Sequence, residues 1–477
     1  MIDVAVAKAV APLHAEIKGL KEIIKGLKEI IKGLEKENQQ LKLENKQLKE
    51  KIAKLQRHSK NSSKPPSSNF FKKPKETPKD STDPSEPKRK IGGQPGHPKA
   101  ERKEFPPDQI DEVIQYELSP DEIRGQALTF LRFEKVQQVE LPEKLFYVTE
   151  YRRAIYVDSN GKTVSTPIGE QGFPASHFGP RLKSMTAWMH TLMHASISNI
   201  EVFYESVFKI KMSQGMVCKC IRQSGDSLAE SHQELVDALV DQLRLFIDET
   251  GGKRNKERLW HWVFVADLFT VILADQSRAT EVLNRVLGDE FSGLIHCDYY
   301  NAYRSYLKAH PKVKVQHCLA HLVRELLFVA ESEDENTRLW AEAMLDALRL
   351  LIHSNLESKS IASLKKTMHY LAETYQGNER GRALAKRLEE NLAPFLRFLE
   401  DPLAETTNNI AERKIRPLVL HRKTTQGTRS EPSSRTLECL QTLCVTAKQQ
   451  GISGYSFLVE SLKAYRNHTP APSLLGV

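Results

Sequence analysis

The sequence predicts an α/β core with a helical insertion, preceded by an N-terminal coiled coil and by small β-rich and helical modules. Three observations carry this reading. Apolar runs that stop at carboxylates alternate with helical periods between residues 242 and 318. From Leu319 to about Leu399 the pattern is helical throughout, and Ile17 to Leu55 keep an unbroken heptad register.

The heptad comes first in the chain. Ile17, Ile24, Ile31, Asn38, Asn45 and Ile52 occupy one core position, and Leu20, Leu27, Leu34, Leu41, Leu48 and Leu55 the other. Isoleucine at a with leucine at d favours two parallel strands, and the two asparagines fix register, so residues 1–57 are expected to form a homodimer. Residues 58–103 then lose all apolar periodicity and become rich in Ser, Pro and Lys. Up to Lys103 the chain carries 25 Lys/Arg against 13 Asp/Glu, whereas the remainder carries 45 against 48. The overall charge of +9 is therefore an N-terminal property. A basic arm of this kind meets phosphate by counterion release, with Lys60, Lys64, Lys88, Arg89, Lys90 and Arg102 as contacts.

Residues 104–175 read as a small β-rich module. Leu145–Val148 and Ala154–Val157 look extended, and Asn160-Gly161 before Lys162–Val164 suits a type I′ hairpin turn. Residues 176–241 turn helical, with Met185, Trp188, Met189 and Leu192, then Val202, Phe203, Ser206 and Val207, as the packing face. Cys218-Lys219-Cys220 is too closely spaced for a zinc knuckle, and the six cysteines are too sparse for a disulfide framework. The chain is expected in a reducing cytoplasm, on the nucleoid when bound to DNA. No apolar run approaches the roughly 20 residues that span a bilayer.

Residues 242–328 hold the first part of the core. Leu243–Ile247 ends at Asp248 before Gly251-Gly252, Trp260–Ala266 and Thr270–Ala274 continue the sheet, Arg278–Leu287 is helical, and Leu294–Cys297 ends at Asp298. Three strands before the first helix match an RNase H-like core better than a Rossmann sheet, which also needs a glycine-rich phosphate loop. Residues 329–403 form the helical insertion, because the separation between Asp298 and the next notable acid, Glu412, is too long for a loop. Residues 404–477 complete the core. They supply Glu412 on a helix-like segment and a basic track of Arg413, Arg416, Arg422, Lys423 and Arg429.

Taken singly, an acid at a strand end is usually a loop residue or a helix cap. Two such acids joined by a third from a helix can hold a pair of divalent ions about 3.5–4 Å apart, the arrangement for phosphodiester chemistry. Oxygen ligands suit Mg²⁺, with Mn²⁺ able to substitute. A basic track beside the acids would lead a phosphate backbone to them. His317-Cys318-Leu319-Ala320-His321 lacks the spacing of a zinc site, so no zinc is expected; His321, Arg324 and Asn409 are candidates for supporting the acids.

The chain resembles the IS66 family of insertion-sequence transposases along nearly its whole length. The shared features are the leucine-rich start, Lys60–Ser68, Gly92–His97, Asp248-Glu249-Thr250, Asp298 with Tyr303, Cys318–His321 and Asn408–Pro417. The resemblance implies a DDE recombinase on an RNase H-like fold that cuts and joins DNA at element ends, with Asp248, Asp298 and Glu412 as its metal-binding triad. It also implies terminal inverted repeats and target DNA as partners, with smaller accessory proteins of the same element. Many relatives carry a cysteine-rich zinc module near the position of Tyr156–Val164, where these cysteines are missing. The rival expectation is a catalytically inactive, domesticated dimeric DNA-binding protein.

Overall fold

A computed structural model describes Lys32, Gln39 and residues 104–118, 132–142, 144–157, 159–165, 176–354 and 356–475. The heptad core and the basic contacts from Lys60 to Arg102 lie outside the described residues. The chain divides into two compact units, Leu319–Leu392 with Met1–Lys73, and Pro74–Cys318 with Ala393–Val477.

In the second unit, β1 (Ile155–Val157) and β2 (Thr163–Ser165) pair antiparallel, with Tyr156 opposite Val164. The hairpin is as the sequence predicts, but its turn is not type I′. Among the described residues of that turn only Gly161 has positive φ (77°), whereas type I′ needs two such residues. Leu145–Val148 forms no paired strand either, and Tyr147 and Val148 stand exposed. Four helices follow: α1 (Pro180–Thr191), α2 (Ile197–Phe208), α3 (Gln214–Asp226) and α4 (Ala229–Asp237). On α2 the buried face is Ile200 and Tyr204, while Val202 and Val207 are exposed. Polar anchoring sets that rotation: the Tyr204 hydroxyl bonds Thr186 Oγ1 of α1 at 2.9 Å, a partner that periodicity cannot reveal.

The central sheet has the order β5-β4-β3-β6-β7. Its first three strands, β3 (Arg244–Arg254), β4 (Glu257–Val265) and β5 (Thr270–Asp275), form an antiparallel meander. After α5 (Thr280–Val286), β6 (Leu294–Cys297) joins β3 in parallel; after α6 (Asn301–Ala309), β7 (Lys314–His317) joins β6 in parallel. This strand and helix order is the one that the sequence predicts.

One expectation fails within the sheet. Gly251-Gly252 does not end β3, because β4 continues the ladder through Gly252 opposite Leu259 to Arg254 opposite Glu257. Gly252 is needed for a different reason, a close approach to the His261 ring, which lies 2.7 Å from where a Cβ would sit. The chain reverses at Asn255-Lys256, both with positive φ.

Two C-terminal helices pack on this sheet, α11 (Asn409–Thr425) and α12 (Glu431–Gln450), followed by α13 (Gly454–Asn467). The α12 helix covers the outer edge of β5. Thr446, Thr442 and Glu438 accept hydrogen bonds from the backbone N–H groups of Thr270, Ile272 and Ala274 at 3.1, 3.0 and 2.7 Å. Four helical residues rise about 6.0 Å and two strand residues about 6.6 Å, so the two spacings match along the edge. An edge capped in this way offers no template to another strand.

The connection between α11 and α12 is tied to the β3–β4 hairpin, with Thr428 N–H donating to the Lys253 carbonyl at 3.0 Å and Asn255 N–H to the Thr428 carbonyl at 2.9 Å. Gly427 has φ 99°, and a Cβ there would run into the Lys253 carbonyl oxygen. Gly427→Ala is therefore expected to cost about 1–3 kcal/mol, as a lowered denaturant midpoint at unchanged slope.

The first unit is helical where it is described: α7 (Leu319–Val329), α8 (Glu335–His353), α9 (Ser358–Glu373) and the start of α10 (Glu379–Phe395). Trp340, Met344, Leu348 and Leu351 line the buried stripe of α8 at helical spacing. The Asp334 side chain caps its first turn through Thr337 N–H at 2.9 Å.

Candidate active site

Strand alternation decides what Asp248 faces. Phe246 belongs to the sheet face that buries Val263, Val265 and Ile272 against Ala411, Ile415 and Leu418 of α11. Asp248, two residues on, shares that face, whereas Glu249 turns to the other. The parallel register pairs Phe246 with His296, so two further residues bring Asp298 alongside Asp248. Phe246 and His296 stack at 4.1 Å, as expected of side chains on one side of the sheet. Glu412 enters from above, in the first turn of α11.

The start of α11 is clamped onto the sheet by Asn408. Its Nδ2 donates to the Ile247 carbonyl at 2.8 Å, and its backbone N–H donates to Cys318 Sγ at 3.2 Å. Just upstream, Glu405 N–H donates to His296 Nε2 at 2.8 Å. Burial holds His296 neutral, with its pKa lowered to about 4. The Asp298 carboxylate accepts from Tyr300 N–H at 3.0 Å, and the ring of His317 meets the Asp298 carbonyl through Nδ1 at 3.1 Å.

Electrostatics report how close the acids come. Burial pushes the Asp248 carboxyl up to about 8, and the charges of Glu249, Asp298 and Glu412 add to the rise. The Glu249 backbone N–H, donating at 2.9 Å, acts against that rise. Asp298 and Glu412 are thus each near enough to Asp248 to raise its pKa, and the donor set of the three, all carboxylate oxygen, has the chemistry that Mg²⁺ takes. Among the described residues, no group of three or more His, Cys, Asp and Glu side chains is gathered closely enough to hold a metal ion.

Glu249 does something else. Its carboxylate is fully buried, ion-paired with Arg278 at 2.6 Å and hydrogen-bonded by the Tyr303 hydroxyl. Arg278 is also sandwiched by Tyr300 at 3.8 Å and Trp260 at 4.7 Å. Sequence reading singled out neither Arg278 nor Asn408. Alternation alone could have flagged Glu249 as facing away from Asp248, but not its partner.

Among the other predicted residues, Asn409 opens α11. Arg413, Arg416 and Lys423 form an exposed stripe on that helix, at spacings of three and seven. Lys414 turns inward to the Val445 carbonyl and Gln449 Oε1, and burial lowers its pKa to about 8. Arg422 reaches back to Thr250 Oγ1 at 3.3 Å. His321 and Arg324 lie on α7, in the other unit, within hydrogen-bonding distance of each other at 3.4 Å.

A family model described as Transposase IS66 family matches residues 175–435, which spans all three acids and more than half of the chain. The chain belongs to the IS66 transposase family. A second model, a family of unknown function (DUF6444), matches residues 9–103 of this IS66-family chain. The uncharacterized protein y4qI of Sinorhizobium fredii strain NGR234 is 23% identical over 432 residues, 82% of this chain and 79% of that protein. A second uncharacterized protein of the same strain, y4jD, is 24% identical over 266 residues, 49% of this chain and 52% of that protein. Among the described residues of the IS66-family chain, no helix is long and apolar enough to cross a membrane.

Proposed function

We propose that the chain is a DDE transposase that cuts DNA at the ends of an insertion sequence and joins the freed 3′ ends to target DNA. The observation that carries the reading is that Asp248 is pushed up to about 8 by burial and by the charges of Glu249, Asp298 and Glu412, the last two coming from a neighbouring strand end and from the first turn of α11. Like charges near a buried carboxyl disfavour its ionised form, and a divalent cation bound there would relieve that repulsion. The order of the sheet, three antiparallel strands followed by two parallel ones, supports an RNase H-like core.

In this reading Asp248, Asp298 and Glu412 would hold the Mg²⁺ ions, which would supply activation of the attacking oxygen and stabilisation of the leaving one. The chain's own residues do the rest. Asn408 fixes where Glu412 enters, Tyr300 N–H holds the Asp298 carboxylate, and His317 holds its backbone carbonyl. Arg413, Arg416 and Lys423 lead the phosphate backbone along α11 towards the acids. The N-terminal heptad would pair two chains, so that both DNA ends are handled together.

The test is a cleavage and joining assay on the DNA flanking the gene, with Mg²⁺ or Mn²⁺ supplied. Labelled 3′ ends covalently linked to a target, lost on chelation, are the expected result. Hydrolysis without joining would make the protein a nuclease. Binding with neither reaction would favour the dimeric DNA-binding protein.

A further inference from the structure

A cavity of about 550 Å³ opens between the β3–β4 hairpin and the C-terminal end of α11, lined by Lys253, Lys256, Arg422 and Arg429, with Gly251 and Gly252 as bare backbone. No carboxylate lines it, and among the described residues none of these four cations forms an ion pair. Four positive charges around a concave wall raise the local potential for an anion far more than a scattered set would. Its walls are held by the Lys253, Asn255 and Thr428 backbone bonds, so the cations are gathered before any ligand arrives.

The backbone gives a second, independent sign. Lys256 and Gln426 both line the cavity, and both occupy the left-handed region, with φ of 70° and 60°. Glycine would fill such positions without the steric cost, and Asn-Gly is the favoured pair for a tight hairpin. A lysine kept at a strained turn position points to a use for its side chain.

We propose that this cavity is a docking site for the phosphate backbone of one DNA strand, gripped by Lys253, Lys256, Arg422 and Arg429. The identity of the ligand rests on the transposase reading; the anion site itself does not. Both walls lead back to the acids. Lys253 lies five residues along β3 from Asp248, about 16 Å at strand rise, and Arg422 lies ten residues along α11 from Glu412, about 15 Å at helical rise. At about 3.4 Å per nucleotide in duplex geometry, the gripped phosphates fall some four or five nucleotides from the bond that is cut.

The experiment uses the full chain and a duplex carrying the DNA that flanks the gene, with affinity measured against salt concentration. Lys256→Gly relieves the turn, so the variant should fold at least as stably as the parent. Its log–log salt slope should nevertheless fall by about 0.9, with a like fall for Lys253→Ala and nearly twice that for the pair. The loss should be the same on an unrelated duplex, since phosphate contacts carry no sequence information. A parent that binds and cleaves while both variants keep its slope overturns the docking site alone. A parent that binds without cleaving, with the slopes falling as stated, upholds the docking site and overturns the transposase reading. A parent that binds no DNA overturns both.

Discussion

Asp248→Asn is expected to abolish Mg²⁺-dependent cleavage, with a loss of at least about 10³-fold, while duplex affinity stays close to that of the parent. A cation that stabilises reacting oxygens contributes several kcal/mol to the barrier, and each 1.36 kcal/mol is about tenfold in rate. Asparagine keeps the shape and removes the charge. The metal-free fold should move the other way. Because the folded Asp248 carboxyl titrates near 8 against a usual 3.8, the folded state binds the extra proton. The parent therefore loses stability, relative to the unfolded chain, as pH rises from about 4 through 8. Asparagine has no such loss, so in chelator the variant's advantage in melting temperature should widen over that window. Parallel pH dependence of the two proteins would refute the buried, charge-crowded setting of Asp248. Full cleavage by the variant would refute its role as a ligand.

Arg278→Met is the second substitution with a large expected effect. It removes the Arg278 cation from a Glu249 carboxylate with no exposed surface, and stranding one member of a buried pair costs about 3–5 kcal/mol. Denaturant unfolding of the metal-free protein would read this as a lower midpoint at constant slope. The restoring variant is specific. Replacing the whole group, as Glu249→Leu with Arg278→Met and Tyr303→Phe, leaves no orphaned charge or hydroxyl and should recover most of the loss, because well-packed apolar replacements of buried pairs are often neutral. If the single change leaves stability untouched, the pair is not the brace described above.

These expectations also mark what a sequence can disclose. The alternation of strands and helices from Leu243 to His317 was legible, because each apolar run is short and ends at a turn residue or an acid. Asp298 was legible as the acid just past a strand end for the same reason, whereas Asp248, expected at the end of its strand, lies inside β3. The clamp at Asn408 was not, since its partner is the Ile247 carbonyl, 161 positions away, and any backbone carbonyl would have served as well on paper. The Gly251-Gly252 pair misled because glycine ends an isolated strand, whereas a strand already paired on one side continues. The capped edge of β5 was equally hidden. Thr442 and Thr446 read as ordinary helical residues until the strand whose amides they take is placed beside them.

The late arrival of α11 has a further consequence. Glu412 is translated 114 residues after Asp298, and at about 5–20 residues per second a ribosome needs some 6–23 seconds to cover that interval. A nascent chain, or one halted before Asn408, would have every strand of the central sheet but neither Glu412 nor the helices α11 and α12 that pack on that sheet.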